Sequence, residues 1–401
     1  MKRRGYRERR GRPALRVDMR VLMVNASGAE QWRGGVEKGI ALAAEGLIAR
    51  GVEVELLQAG PVDGATPIPS TSISPDPAGR LNRRIRNRLT DVAALPTAAL
   101  RDAIRTRRPD LVHTHNLPGI STGVWRVGQL QGLPIIHSLH DYYLLCPRAS
   151  LMTRAGAPCH GHRVCHVRTR RLGRFADAVS VVTGVSKAVV DAHRTFFPGA
   201  RFEVLRNPMA AFGEVEMRPP SREPMTVGYL GGLTHEKGIA ELLGAIERLD
   251  GDSRFRFRIG GHGRLAPMVA AAAERLPALT FDGTIHREEK PAFIDGCDVG
   301  IIPSIWAEPG GPTHALAEWA TASRPALVAA RGGLAEVAGS VPSVITIEPT
   351  ATGIVSGLED LSRADRWAQV LAARPTWDAV AEVSGWIDRH LELYRELVPD
   401  G

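Results

Sequence analysis

The feature that most constrains this chain is a strand–glycine turn–helix–strand unit that occurs near its start and begins again past its midpoint. The first unit runs from Arg20–Asn25 (RVLMVN) through Gly34-Gly35 and the helical run VEKGIALAAEGLIARG into VEVELL. Helix-period spacing between two short apolar runs specifies a β-α-β unit with parallel strands. Further strands are expected at 110–115 (DLVHTH), 134–140 (PIIHSLH), 178–186 (AVSVVTGVS) and 201–207 (RFEVLRN). After Asn207-Pro208 the run MAAFGEVEMRPPSREP has no clear period and reads as a linker. The alternation then restarts with MTVGYLGG, GIAELLGAIERL, FRFRIGG, LTFDG, DVGIIPS and RPALVAA. The predicted fold is α/β, two Rossmann-like doubly wound domains facing a cleft at the carboxyl ends of their strands. The expected limits are a basic tail at 1–18, a first domain at 19–207 and a second at 208–375. An amphipathic helix in 376–401 is expected to pack back toward the first domain.

Composition, 44% hydrophobic and 23% charged, is that of a globular chain. No apolar run of about 18 residues predicts a membrane-spanning helix. The start, MKRRGYRERRGRPALRVDMR, lacks the apolar stretch of a secretory leader, which points to the cytoplasm. The net charge of +8 is concentrated: residues 1–20 carry nine Lys/Arg against two acids, residues 80–109 nine Arg against two acids, and residues 163–174 five Arg and no acid. In RLNRRIRNRL, Leu81, Ile85 and Leu89 recur every four residues with Arg83, Arg84, Arg86 and Arg88 between them. That is the pattern of an interfacial helix, which would seat the first domain at the anionic inner face of a membrane. The other reading is a stripe packed on its own domain with solvated arginines. No aromatic platform interleaves with the arginines, so nucleic acid is not an expected partner. Cys146, Cys159 and Cys165, interleaved with His160, His162 and His166, fit either a structural zinc knot or a reduced loop. No catalytic metal is expected.

Three glycine turns carry the chemistry. In Gly231-Gly232-Leu233-Thr234-His235-Glu236-Lys237-Gly238, glycines after a strand admit a phosphate to backbone N–H groups, and Lys237 adds a full charge. Gly261-His262-Gly263-Arg264-Leu265-Ala266, with Asp282 about twenty residues on, matches the dinucleotide fingerprint and supports a rival, an NAD-dependent dehydrogenase. It stands second in its domain, where that fingerprint does not normally occur. In Glu308-Pro309-Gly310-Gly311-Pro312-Thr313, proline is expected in the first helical turn, and free N–H groups there suit a phosphate. Glu308 before the turn and Glu318 on the helix suit sugar and ribose hydroxyls. Together they predict a ligand with phosphates in the middle and hydroxyl-rich rings at each end, a nucleotide sugar. In the first domain Gly34-Gly35 is a further anion turn, and His113, His115 and His140, followed by Asp141, stand at strand ends on the same rim.

The segments GGVE, DLVHTHN, SLHDYYLLCPR, GGLTHEKG, GGHGRL, PSIWAEP, ALAEWATASRPALVA and RGGLAEVAG resemble the retaining GT-B glycosyltransferases of the glycogen-synthase-like superfamily, which includes phosphatidylinositol mannosyltransferases. The resemblance covers roughly residues 19–390. It implies a hexosyltransferase that moves a sugar from a UDP- or GDP-sugar, without a cofactor, to a lipid-linked, polysaccharide or small-molecule acceptor. It implies that Lys237 binds the diphosphate, Glu318 the ribose and Glu308 the transferred sugar, with His140 beside the reacting carbon and the acceptor in the first domain. Two departures stand out. Nine residues separate Glu308 from Glu318 where the family usually has seven, and Gly232 stands where the family often has Arg. These keep open a non-catalytic nucleotide-sugar-binding relative.

Overall fold

The computed structural model describes residues 19–26, 35–59, 68–73, 90, 93, 98–153, 156–208, 219–310, 313–338, 343–373 and 383–398. The basic tail, the RLNRRIRNRL segment, Gly34, Gly311 and Pro312 lie outside them.

The first sheet has seven strands: β1 (Arg20–Asn25), β2 (Glu53–Gln58), β3 (Ser70–Ser72), β4 (Leu111–Thr114), β5 (Ile135–Leu139), β6 (Val181–Gly184) and β7 (Arg201–Val204). Their order is β3-β2-β1-β4-β5-β6-β7, all parallel. The second has six: β8 (Met225–Leu230), β9 (Phe255–Gly260), β10 (Leu279–Gly283), β11 (Val299–Ile302), β12 (Ala326–Ala329) and β13 (Val344–Ile347). Their order, β10-β9-β8-β11-β12-β13, is again parallel. Both sheets reverse direction of winding between their first and fourth strands. At such a switch point the crossover helices diverge to opposite faces, which leaves a crevice at the carboxyl ends of the strands. The central strands are buried on both faces, as covered parallel strands must be.

Five helices bear on the site: α1 (Gly35–Ile48), α2 (Lys187–His193), α3 (His314–Thr321), α4 (Gly333–Ala338) and α5 (Val383–Leu397). The last, α5, lies in the core of the first sheet, not the second. Trp386, Ile387, Leu391, Leu393 and Tyr394 join α1 residues such as Ile40, Ala44 and Leu47 in one buried cluster. Gly46 of α1 makes room for it: a Cβ there would lie 2.1 Å from Ile387 Cδ1. Ion pairs fix the rim, with Arg389 forked onto Glu203 at 2.5 and 2.7 Å and Arg50 on Asp388 at 2.6 Å.

That docking corrects the reading of His113. It lies inside β4 and not at its end, on the same sheet face as Leu111, which α1 and α5 cover. Its ring is fully buried, 2.7 Å from Tyr394 Oη and 2.7 Å from Ser138 Oγ. It satisfies core polar groups and does not reach the cleft. No helix among the described residues is long and apolar enough to cross a membrane.

Candidate functional site

The site forms on the two strands that flank the second sheet's switch point. After β8, the turn through Gly231 and Gly232 leads to a short 3-10 turn, His235–Lys237, that ends at Gly238 with φ +73°. A Cβ on Gly238 would lie 1.9 Å from the carbonyl oxygen of Pro303, in the loop that leaves β11. The two loops therefore touch backbone to backbone, and Ile305 N–H donates to the Glu236 carbonyl at 3.1 Å. This contact brings Lys237 Nζ to 2.6 Å from Glu308 Oε1. Ser304 Oγ donates to the same oxygen at 2.6 Å. Glu308 is 3% exposed. A carboxylate so buried is costly to leave without partners, and here both contacts fall on one of its oxygens. Its backbone is held as well: Gly333 N–H donates to its carbonyl at 2.7 Å, and Gly332, at φ +59°, packs against it. Trp306 stands alongside, its ring 5.4 Å from Lys237 Nζ.

Glu318 sits on α3. That helix starts after Thr313, whose Oγ1 accepts the Leu316 N–H at 3.2 Å. The cap is thus Thr313 and the helix begins at His314; the proline expected in its first turn, Pro312, lies outside the described residues. Gly310 leads into this turn and is half-buried. Glu318 pairs with Lys290, both mostly buried. Lys38 of α1 lies opposite. Its pKa is lowered by burial and then by the Lys290 cation, and raised by Glu318. The Lys290–Glu318 pair therefore faces the first domain across the cleft. Trp319, next in sequence, points the other way into the core beneath Gly228 and Gly300.

On the first domain's rim, His140 follows β5, and its Nε2 lies 3.0 Å from His115 Nδ1. Burial lowers the His140 pKa to about 4 and that of His115 well below its usual value, so both rings are neutral at pH 7. One N–H serves the bond between them. His115 Nε2 and His140 Nδ1 are buried and have no protein partner among the described residues. Both rings line a small pocket with Gly39, Asn207, Trp386 and His390. The neutral pair thus offers a ligand one donor and one acceptor. Asp141 turns toward its own loop, accepting the Tyr143 N–H at 2.7 Å, and burial pushes its pKa up to about 6.

The buried histidines of the first domain predict its acid behaviour. His140, His193 and His390 are each held at about 4 against an ordinary 6.5, and His113, His115 and His137 fall well below it, burial being the largest cause in each. A depressed folded pKa favours the neutral form, so this stability is complete above pH 6.5 and is lost as pH falls toward 4. Each histidine contributes about 1.4 kcal/mol per pH unit in that window. Urea unfolding followed from pH 7 to pH 4 should show a slope equal to uptake of several protons. A slope of one proton or fewer is incompatible with these burials.

The second glycine turn has a structural cause. A Cβ on Gly261 (φ +150°) would lie 1.8 Å from Gly231 O, and one on Gly263 (φ +153°) 2.4 Å from Leu233 O. The turn is glycine-rich because it packs against the first turn, with Leu233 N–H donating to His262 O at 2.8 Å. Asp282, the acid of the fingerprint spacing, is gripped by Arg258 through Nε at 3.2 Å and Nη2 at 2.5 Å. Arg264 pairs with Glu236 at 2.7 Å on the surface. At Gly232, where the family often has Arg, a Cβ would meet nothing within 4 Å. Cys146 is buried and Cys159 and Cys165 are half-buried, all as free thiols. Among the described residues no three His, Cys, Asp or Glu side chains are grouped to hold a metal ion, so of the two readings the geometry favours the reduced loop.

Lys290, Ser304 and Lys38 escaped the reading of motifs. Lys290 and Lys38 lie in helical stretches that read as solvated surface, and only folding sets Lys290 against Glu318 and Lys38 within its influence; Ser304 lies four residues before Glu308 but carries no pattern of its own.

Residues 33–210 match the family model described as Glycosyltransferase Family 4, and residues 224–363 match the model described as Glycosyl transferases group 1. The chain is 28% identical over 352 residues, 78% of each protein, to a 2-deoxystreptamine N-acetyl-D-glucosaminyltransferase of Streptomyces fradiae. It is 24% identical to an uncharacterized 42.6 kDa protein in the cps region of Klebsiella pneumoniae, of whose length it spans 62%. Sucrose-phosphate synthase from Thermosynechococcus elongatus superposes with a TM-score of 0.71 at 16% identity, over 94% of this chain and 99% of that one. Anabaena HepE, solved in complex with UDP, superposes with a TM-score of 0.66 at 17% identity, over 94% and 100%. Two Rossmann-like domains in this arrangement define the GT-B class of enzyme fold. The chain belongs to the group 1 glycosyltransferases and is a transferase.

Proposed function

We propose that the protein transfers a hexosyl group from a nucleoside-diphosphate sugar, with UDP as the first candidate, to a hydroxyl of a carbohydrate-like acceptor, and does so with retention. The pairing of half-exposed Lys237 with buried Glu308 at the second switch point carries this reading. The transition state places negative charge on the departing diphosphate, which Lys237 neutralises. Ser304 keeps Glu308 partnered when Lys237 turns to phosphate, and Glu308 then accepts hydrogen bonds from the transferred sugar. Glu318 takes the ribose hydroxyls. Backbone N–H groups at Gly35, Gly232, Gly310 and Thr313 complete the cradle. His140 meets the donor sugar from the other wall, with His115 behind it and Asp141 beside the acceptor path. UDP in the HepE structure supports the base, and a relative named for 2-deoxystreptamine supports a small polyhydroxylated acceptor.

A thermal-shift panel of nucleoside diphosphates and their sugars tests the assignment. Ligand at about a hundred times Kd stabilises by about 2.7 kcal/mol, a shift of several degrees for a domain of this size. A shift with NAD and none with any nucleotide sugar would reverse the reading.

A membrane-side acceptor is the second reading. The helix Arg163–Leu172 exposes Val164 at 79% and Val167 at 53% beside Arg163, Arg170 and Arg171. That is an apolar and cationic face turned to solvent. Vesicle sedimentation indifferent to anionic lipid and to salt removes it.

A further inference from the structure

The turn that holds Glu308 from behind also grips the first domain. Gly333, bonded to the Glu308 carbonyl, opens α4, and three residues on Glu336 reaches α2. Its Oε2 accepts the Lys187 N–H at 3.0 Å and its Oε1 accepts the Ala188 N–H at 2.8 Å. Arg206 adds an ion pair to the same carboxylate at 3.1 Å. The first amides of a helix have no partner within it, and a carboxylate set there is held by charge-assisted bonds and the helix dipole. The cap of α2 makes a second crossing: Ser186 Oγ donates to the carbonyl of Pro309, the residue after Glu308, at 2.5 Å. Residue 308 is thus bracketed. Its own carbonyl is tied to α4, the next carbonyl to α2, and Glu336 joins α2 to α4. A plain interdomain contact would add stability without converging on the peptides around one buried acid.

We propose that Glu336 is a positioning residue for sugar transfer. Its clasp on the amino end of α2 sets the closure of the two domains and, through the Gly333–Glu308 and Ser186–Pro309 bonds, the placement of the Glu308 carboxylate in the closed cleft. The proposal rests on the glycosyltransferase reading of Glu308. The nucleotide is held by the second domain, so loss of the clasp spares its affinity and slows turnover. A misplacement of about 1 Å at a reacting centre costs up to about 10²-fold in rate.

The test uses the full chain. In Glu336→Ala, kcat should fall about 10- to 100-fold while donor KM and the Kd for UDP stay within about threefold. Glu336→Gln, which keeps an acceptor oxygen, should recover part of the loss. Hydrogen exchange should quicken in Glu336→Ala at Lys187 and Ala188 and, with them, across Ile305–Gly310. A kcat within about twofold of the parent, a kcat loss matched by lost UDP affinity, or exchange that quickens at 187–188 alone would each overturn the proposal. If the parent protein transfers sugar from no donor, the functional reading fails by itself, and the exchange pattern still reports whether the clasp and Glu308 are linked.

Discussion

Replacing Lys237 by alanine is expected to lower kcat/KM by about 10²- to 10³-fold, the usual loss when one preorganised donor to a developing negative charge is removed. Two effects combine. The departing diphosphate loses its full positive charge at the second switch point. Glu308, 3% exposed, loses the cationic one of its two partners, both at 2.6 Å, and is left with Ser304. Both act on the same step, because the two side chains share one oxygen contact. Lys237→Arg should recover only part of the rate, since a planar fork does not replace a compact ammonium in a pocket shaped for one. Steady-state kinetics with a UDP-sugar, alongside UDP affinity by calorimetry, check this. A Lys237→Ala enzyme that retains more than about a tenth of parental kcat/KM would remove Lys237 from the mechanism.

The second large effect is expected at Gly238. Alanine there must hold φ +73°, which costs about 1–2 kcal/mol for a residue with a Cβ. That Cβ would also press on the Pro303 carbonyl at 1.9 Å, a backbone atom that yields only if the loop shifts, for about 1–3 kcal/mol more. Urea unfolding should therefore show a loss of about 2–5 kcal/mol, together with reduced transfer, because the displaced loop carries Ser304 and Glu308. Gly232→Ala in the same turn is the control. Its added Cβ meets nothing, so the change should stay within about 0.5 kcal/mol. Equal unfolding midpoints for the two variants would contradict the packing described for Gly238.

The alternation of strands and helices was legible because parallel strands covered on both faces must be apolar along most of their length, as VLMV and VGII are. The restart after Asn207 was legible for the same reason. Acids flanking a glycine turn were visible too, and the fold sets Glu308 and Glu318 against Lys237 and Lys290. What local pattern does not carry is partnership over distance. Lys237 and Glu308 are 71 positions apart, and Lys290 sits in HREEKPAF, a stretch that reads as solvated surface. The Gly261 and Gly263 motif is ambiguous for a related reason. A Gly-x-Gly turn is demanded equally by a phosphate and by a neighbouring backbone, and here the neighbour is the Gly231–Leu233 turn. His113 was misplaced by a single residue. At a strand end that step decides between the rim and the core, and the core facing it is made by a helix some 280 positions later.

That late helix has a consequence for the architecture. Because α5 returns to fill the first sheet's core, the first domain is made of two pieces of chain, and the whole second domain is inserted between them. The domains are therefore joined by two passages of the chain instead of one. Losing the last twenty residues would strip the first domain of Trp386, Ile387 and Tyr394 while leaving intact every strand that frames the lysine–glutamate pair.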